Sequence, residues 1–284
     1  MNGLIAGAIY ALVACGFSLV YSTVKFMHFA HGGVLVFGAY AIYSLFALAG
    51  INFPVAALVT VILTGFFGVL INLVVYKPLR SRKAGAVGML IASLALFIFT
   101  ENLALLLFGA DVKTLNLIRI AEGITIGGVI ITKLQIVIIA VSTALLVFFG
   151  LFMKKTRLGK AMRAVADNRV VAETVGISAE KIYHYAFFIA SAVAGVASIL
   201  ISLEQNIEPT MGLQLILKGF AGAIIGGVES VSGAVLGSFL LGVVENLGIL
   251  YLLSGYKDGI AFALLFLFLI FRPQGILGMR KRSA

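Results

Sequence analysis

Apolar runs close to the 20 residues needed to cross the hydrocarbon layer of a bilayer recur along the chain at positions 3–22, 33–50, 54–76, 85–108, 133–153, 183–203 and 231–252. Inside lipid every backbone N–H and C=O must find an internal partner, so runs of this kind cross as helices. A water-soluble reading fails on composition. Of the residues, 62% are hydrophobic and 11% charged, against about a half and about a quarter in a soluble domain, too few polar side chains to cover a surface in water. Abundant glycine (32) and scarce proline (4) suit helices that pack closely through small side chains. The expectation is an all-α polytopic membrane protein of about 8–10 transmembrane helices, some of them broken or half helices, in a single transmembrane domain over residues 1–284.

Two further stretches are short or interrupted: Met211 to Val228 contains Lys218 and ends at Glu229, and Gly259 to Phe271 is brief for a span. Charge decides how to count them. The net charge of +10 gathers in three places, at Lys77, Arg80, Arg82 and Lys83, then along Lys154 to Lys181, then at Arg272 and Arg280 to Arg282. Such clusters between apolar runs mark cytoplasmic loops rather than a nucleic-acid footprint. If all three are cytoplasmic, the crossings between them must be even in number, which requires both short stretches to cross and gives about nine crossings with Met1 outside. The first run lacks a basic leader and is long enough to stay as a helix, so no removable signal peptide is expected. Outside, Ile and Thr alternate around Gly123, Gly127 and Gly128 within 116–132 and suggest a small hairpin. The lone Cys15 excludes an internal disulfide.

The loop from Lys154 to about residue 182 carries Leu158, Met162, Val165 and Ala166, then Val170, Val171 and Val175, at helical spacing. Two short amphipathic helices beneath the membrane fit this pattern, their apolar stripes resting on lipid or docked into a partner. Within it Gly159, Arg163, Ala164, Ala166, Asp167 and Gly176 resemble the cytoplasmic coupling loop of the branched-chain amino acid ABC permeases, the LivH-type family. Gly3 to Tyr21 with Phe29-Ala30-His31-Gly32 resembles the family's opening, Leu217 to Gly237 its glycine-rich segment, and Arg272 to Gly278 its terminus. His28 replaces the usual Asn, and Glu229 stands in a stretch that is normally neutral.

The resemblance implies the permease fold of an ABC importer in a bacterial or archaeal plasma (inner) membrane. It also implies a second similar permease subunit, two cytoplasmic ATPase subunits and an extracytoplasmic substrate-binding protein, with a branched-chain or other small neutral amino acid as solute. Urea and short-chain amide permeases are close relatives and remain the alternative. The chain has no G-x-x-x-x-G-K-[ST] loop, so ATP and Mg are expected on the partner ATPases, with no cofactor on this chain. It also lacks G-x-S-x-G and H-E-x-x-H, and no enzyme activity is expected. A stand-alone secondary transporter would place Glu101 or Glu245 in a broken helix.

Ionisable side chains in the membrane are costly and are functional candidates, against a structural reading as carboxylates bonded between helices. Glu101, Lys218, Glu229 and Glu245 qualify, with a Lys218–Glu229 ion pair one option. His31, Gly32, Glu101, Gly226, Gly227 and Glu245 form the candidate translocation path. The two glycine pairs, Gly32-Gly33 and Gly226-Gly227, serve either close packing or hinges. His28 and His31 share a helix face, but no third ligand is near in sequence and no metal site is expected.

Overall fold

The structure, a computed structural model, describes residues 2–115, 117, 123–126, 129–251 and 253–278. With no charge between Asn2 and Val24, the first apolar run forms the 23-residue helix α1 (Asn2–Val24), and nearly all of it is buried. Lys25, in the left-handed region at φ 61°, ends it. Helix α2 (Ala30–Ile42) continues as a π-helical turn, Tyr43–Leu48. Helix α3 (Phe53–Ile71) passes through a second π-helical stretch, Asn72–Tyr76, into α4 (Lys77–Ser81).

Then come α5 (Ala86–Phe108), strands β1 (Gly123–Ile126) and β2 (Val129–Thr132), α6 (Lys133–Lys155), α7 (Arg157–Asp167) and α8 (Arg169–Thr174). The chain continues through α9 (Ala179–Glu204), α10 (Met211–Gly226), α11 (Val231–Gly248) and α12 (Lys257–Phe271).

Seven of these helical segments are long and apolar enough to span a bilayer. At 1.5 Å per residue α10 and α12 reach about 24 and 22 Å, short of a full hydrocarbon layer. Both nevertheless run beside α11 along its height. On α10, Gly226 abuts Gly233 and Lys218 meets Glu245, while α12 sets Ile260 against Gly248 and the segment after it brings Gln274 to Gly227. The stretch 211–228, whose apolar run is interrupted by Lys218, is unbroken helix from Met211 as far as Gly226. Lys218 is accommodated by partners on neighbouring helices rather than by a break, and Gly227, at φ +109°, ends the helix.

The described members of the charged clusters share one end of the bundle. Arg80 bonds Glu180, Lys25 bonds Glu229, and Leu277 N–H donates to the Gly226 carbonyl at 2.8 Å. By the positive-inside bias this end is cytoplasmic. At the opposite end Lys113 and Ile207 exchange backbone hydrogen bonds of 3.0 and 2.8 Å, joining the segments that follow α5 and α9. There β1 and β2 pair antiparallel, with Ile126 opposite Val129. The hairpin expected over 116–132 is present in these two strands, while Asn116, 118–122, Gly127 and Gly128 lie outside the described residues.

Large apolar side chains line the outer faces: Leu58 and Phe66 on α3, Ile98, Phe99 and Leu106 on α5, Phe148 on α6, Phe266 and Phe271 on α12. A surface of this kind faces lipid or another membrane subunit, not water.

Candidate functional site

Small side chains let the helices around α1 approach backbone to backbone. A Cβ on Gly3 would lie 2.8 Å from the Gly242 carbonyl oxygen of α11, and one on Gly7 3.0 Å from the Phe239 Cα. Gly226 and Gly233 touch so closely that a Cβ on the first would enter the second's carbonyl. Gly32 meets the Gly212 carbonyl and the Phe97 ring, and Gly33 meets Thr100. At Gly32-Gly33 and Gly226 the geometry is therefore that of close packing, and at Gly227 that of a helix terminus.

Inside this packing lies a band of buried polar groups. Residues 25–29 leave helical geometry, and α5 satisfies their backbone: Phe29 N–H donates to Ser93 Oγ, and Ser93 Oγ is 3.2 Å from the Met27 carbonyl. His28, fully buried, places Nδ1 2.9 Å from the Tyr76 hydroxyl. The continuation of α3 thus supplies a partner for the His28 ring where α1 gives way to α2. His31 is equally buried, and among the described residues no side chain hydrogen-bonds its ring nitrogens. Ser198 Oγ of α9 donates to the Leu35 carbonyl of α2 at 2.9 Å, and Ser18 Oγ of α1 to the Val228 carbonyl at 2.6 Å.

The intramembrane charges group differently from the sequence expectation. Lys218 does not pair with Glu229. It reaches Glu245 on α11 at 2.6 Å and Asp258 on α12 at 2.9 Å, with Lys257 3.9 Å from the same Glu245 carboxylate. Glu229 lies beyond α10 in the cytoplasmic turn, half exposed, with Lys25 2.9 Å away. Position along the helix explains the exchange: Lys218 lies about two turns before the end of α10, level with Glu245 of α11 and Asp258 of α12, whereas Glu229 follows the turn at Gly227 and meets the end of α1. Glu101 is partly exposed on α5, and among the described residues no hydrogen bond reaches it. The candidate path residues therefore fall in separate places: His31 and Gly32 at the start of α2, Gly226 and Gly227 at the end of α10, Glu245 in the ionic cluster, and Glu101 on an outer face. Among the described residues no three His, Cys, Asp or Glu come together as metal ligands.

The cytoplasmic loop folds as two helices. Thr156 caps α7 by accepting from Gly159 N–H at 3.0 Å, and Asn168 caps α8 by accepting from Val171 N–H at 3.1 Å. Gly159 rests on the backbone of Phe152 and Met153, where a Cβ would lie 2.6 Å away. Only part of the expected apolar stripe is open. Met162 and Val165 of α7 are buried by the chain itself, while Val170, Val171 and Val175 are 70%, 57% and 71% exposed. Arg163, Ala166 and Asp167 border a cavity of about 510 Å³ that also touches Ser22, Met153 and Leu277. Ala164 is half-buried, and Gly176 turns the chain toward α9 at φ +86°.

This helical plan resembles a solved structure titled PsaBC from Streptococcus pneumoniae in complex with Fab, with a TM-score of 0.54 and 13% identity, covering 96% of this chain and 91% of that one. At that identity the likeness concerns the fold. The sequence comparisons reach further. The family described as branched-chain amino acid transport system / permease component matches residues 1–269. The chain belongs to this family. It is 36% identical to the high-affinity branched-chain amino acid transport system permease protein BraD of Pseudomonas aeruginosa, over 98% of this chain and 94% of that one. The permease protein LivH of Salmonella typhimurium is 34% identical over the same shares, and a probable LivH of Methanocaldococcus jannaschii is 30% identical over 98% and 91%.

As a permease of this family the chain is a multi-pass plasma-membrane transport protein and not an enzyme, and it belongs among the subunits of an ABC transporter. Its cytoplasmic end holds features that periodicity alone had not singled out. Arg80 bonds both oxygens of Glu180, at 3.2 and 3.0 Å, and Asn72 at 2.9 Å, and its guanidinium lies over the Tyr183 ring. Arg169, on α8, lies over the same ring, and its hydrogen bond to Glu173 holds its guanidinium above the usual arginine value. Lys25 completes the group. Its one sequence signal is a lone cation between two apolar runs.

Proposed function

We propose that this permease carries branched-chain or other small neutral amino acids inward as half of a translocation path completed by a second similar permease subunit. Two cytoplasmic ATPases bind ATP and Mg, and an extracytoplasmic binding protein delivers the solute. The observation that carries the solute assignment is the match over nearly the whole chain to permeases named for branched-chain amino acid transport.

The coupling assignment rests on the cytoplasmic loop. Gly159, Arg163, Ala164, Ala166, Asp167 and Gly176 hold α7 and the turn into α9, and the exposed valines of α8 supply an apolar surface that an ATPase groove would cover. Movement of α7 changes the cavity that Arg163, Ala166 and Asp167 border, which connects nucleotide-driven closure to access at the cytoplasmic end. His31 and Gly32, Gly226 and Gly227, Glu101 and Glu245 are kept as candidate path residues. The tightly packed glycines among them set how far the helices can shear.

The test is ATP-dependent uptake of labelled leucine into proteoliposomes holding the permeases, ATPases and binding protein. Uptake is expected to vanish when residues 159–176 are replaced by a flexible linker while membrane insertion persists. Unchanged uptake refutes the coupling assignment. Uptake of urea in place of leucine refutes the solute, and ion-gradient flux without the ATPases refutes the importer.

A further inference from the structure

Lys25, Arg80 and Arg169 converge on a cavity of about 260 Å³ at the cytoplasmic end, walled by Phe26, Met89 and Tyr183. They come from three separate pieces of chain: the α1–α2 link, α4 and α8. None of the described lining residues is acidic. Each cation has a carboxylate nearby, but not an equally firm one. The Lys25–Glu229 and Arg169–Glu173 pairs are both about half exposed, and pairs open to water contribute little. Arg80 is more deeply set, and its Nη1 is shut from solvent with no acceptor among the described residues. Lys77, Arg82 and Lys83 lie within three residues of Arg80 in the chain.

We propose that this cavity binds a phosphate-bearing anion, either the phosphodiester of an anionic phospholipid of the cytoplasmic leaflet or a soluble phosphate. Guanidinium groups match phosphate geometry through paired N–H donors. Basic pockets between helices on the cytoplasmic side bind anionic lipid headgroups. The three apolar walls would take the carbon portion of such a ligand. An anion seated there ties α8 to the α1–α2 link and to α4, and so bears on the mobility of the loop whatever solute the permease carries.

Native mass spectrometry of the full-length permease in detergent tests this in two arms, phosphatidylglycerol against phosphatidylcholine and inorganic phosphate against chloride. One anion is expected to bind with 1:1 stoichiometry, and the arm in which it does so identifies the source. Arg169→Gln, at an exposed position that leaves the fold intact, is expected to weaken binding roughly fivefold, with Lys25→Gln adding about as much again. Arg169→Lys, which keeps the charge but not the paired donors, should restore only part of it. Binding of neither anion, an unchanged affinity in Arg169→Gln, or an equal loss in Lys154→Gln/Lys155→Gln, which lies outside the cavity, overturns the proposal.

Discussion

Replacing Lys218 with Met removes the positive centre of the α10–α11–α12 cluster while keeping most of the side-chain length. Glu245 is fully buried, and without Lys218 its nearest cation is Lys257 at 3.9 Å. Leaving a buried charge without its partner costs about 3–5 kcal/mol. The reverse change, Glu245→Gln, leaves Lys218 bound to Asp258 at 2.9 Å, and Asp258 is itself about half exposed, so the cost falls to about 1–2 kcal/mol. In Lys218→Met/Glu245→Gln no buried charge is stranded, and the double variant should be more stable than Lys218→Met alone by about 1–3 kcal/mol. At about 2–4 °C per kcal/mol, Lys218→Met should melt on the order of 10 °C below the parent, with the double variant between the two singles or near Glu245→Gln. Thermal unfolding of the purified permease in detergent, followed by light scattering and intrinsic tyrosine fluorescence, gives the four values. Strictly additive losses, or a Glu245→Gln variant as unstable as Lys218→Met, would show that the cluster does not share its charge as described.

Gly226→Ala places a methyl group into the Gly233 carbonyl and should destabilise by at least about 1–3 kcal/mol, whereas Gly150→Ala, with nothing within 4 Å of its Cβ, should leave melting and expression unchanged. Replacing Val170, Val171 and Val175 together by Ser removes only exposed apolar surface, so the permease should still insert and melt as before but lose co-purification of its ATPases. Retained co-purification would move the docking surface away from α8.

The all-α, membrane-spanning plan was legible in the sequence because hydrocarbon thickness sets the run length, and seven of the helical segments are long and apolar enough to span. The short stretches 211–228 and 259–271 form helices α10 and α12 beside α11. Pairing inside the bundle was not legible. Lys218 stands near Glu229 in sequence but turns its side chain toward Glu245, and Glu229 finds Lys25 far away in the chain. The rise of 1.5 Å per residue separates Lys218 from Glu229 along α10, but which helices bring Glu245 and Asp258 to Lys218 is barely encoded in an almost uniformly apolar sequence. The cytoplasmic loop was half readable. Periodicity identified the apolar faces of α7 and α8, but only packing decides that Met162 is covered and Val171 is not. Single buried hydroxyls such as Ser18 and Ser198 give no sequence signal, because their partners are main-chain carbonyls.

Helix α1 is wrapped by α9, α10 and α11, all of which leave the ribosome much later. Until they arrive, its glycine-notched flanks at Gly3 and Gly7 have only acyl chains or the insertion machinery for company, and Ser18 lacks the acceptor that Val228 later supplies. Biogenesis of this permease is therefore a matter of waiting: the strut made earliest is the one enclosed last, and a nascent chain halted before α10 leaves its centre unclad.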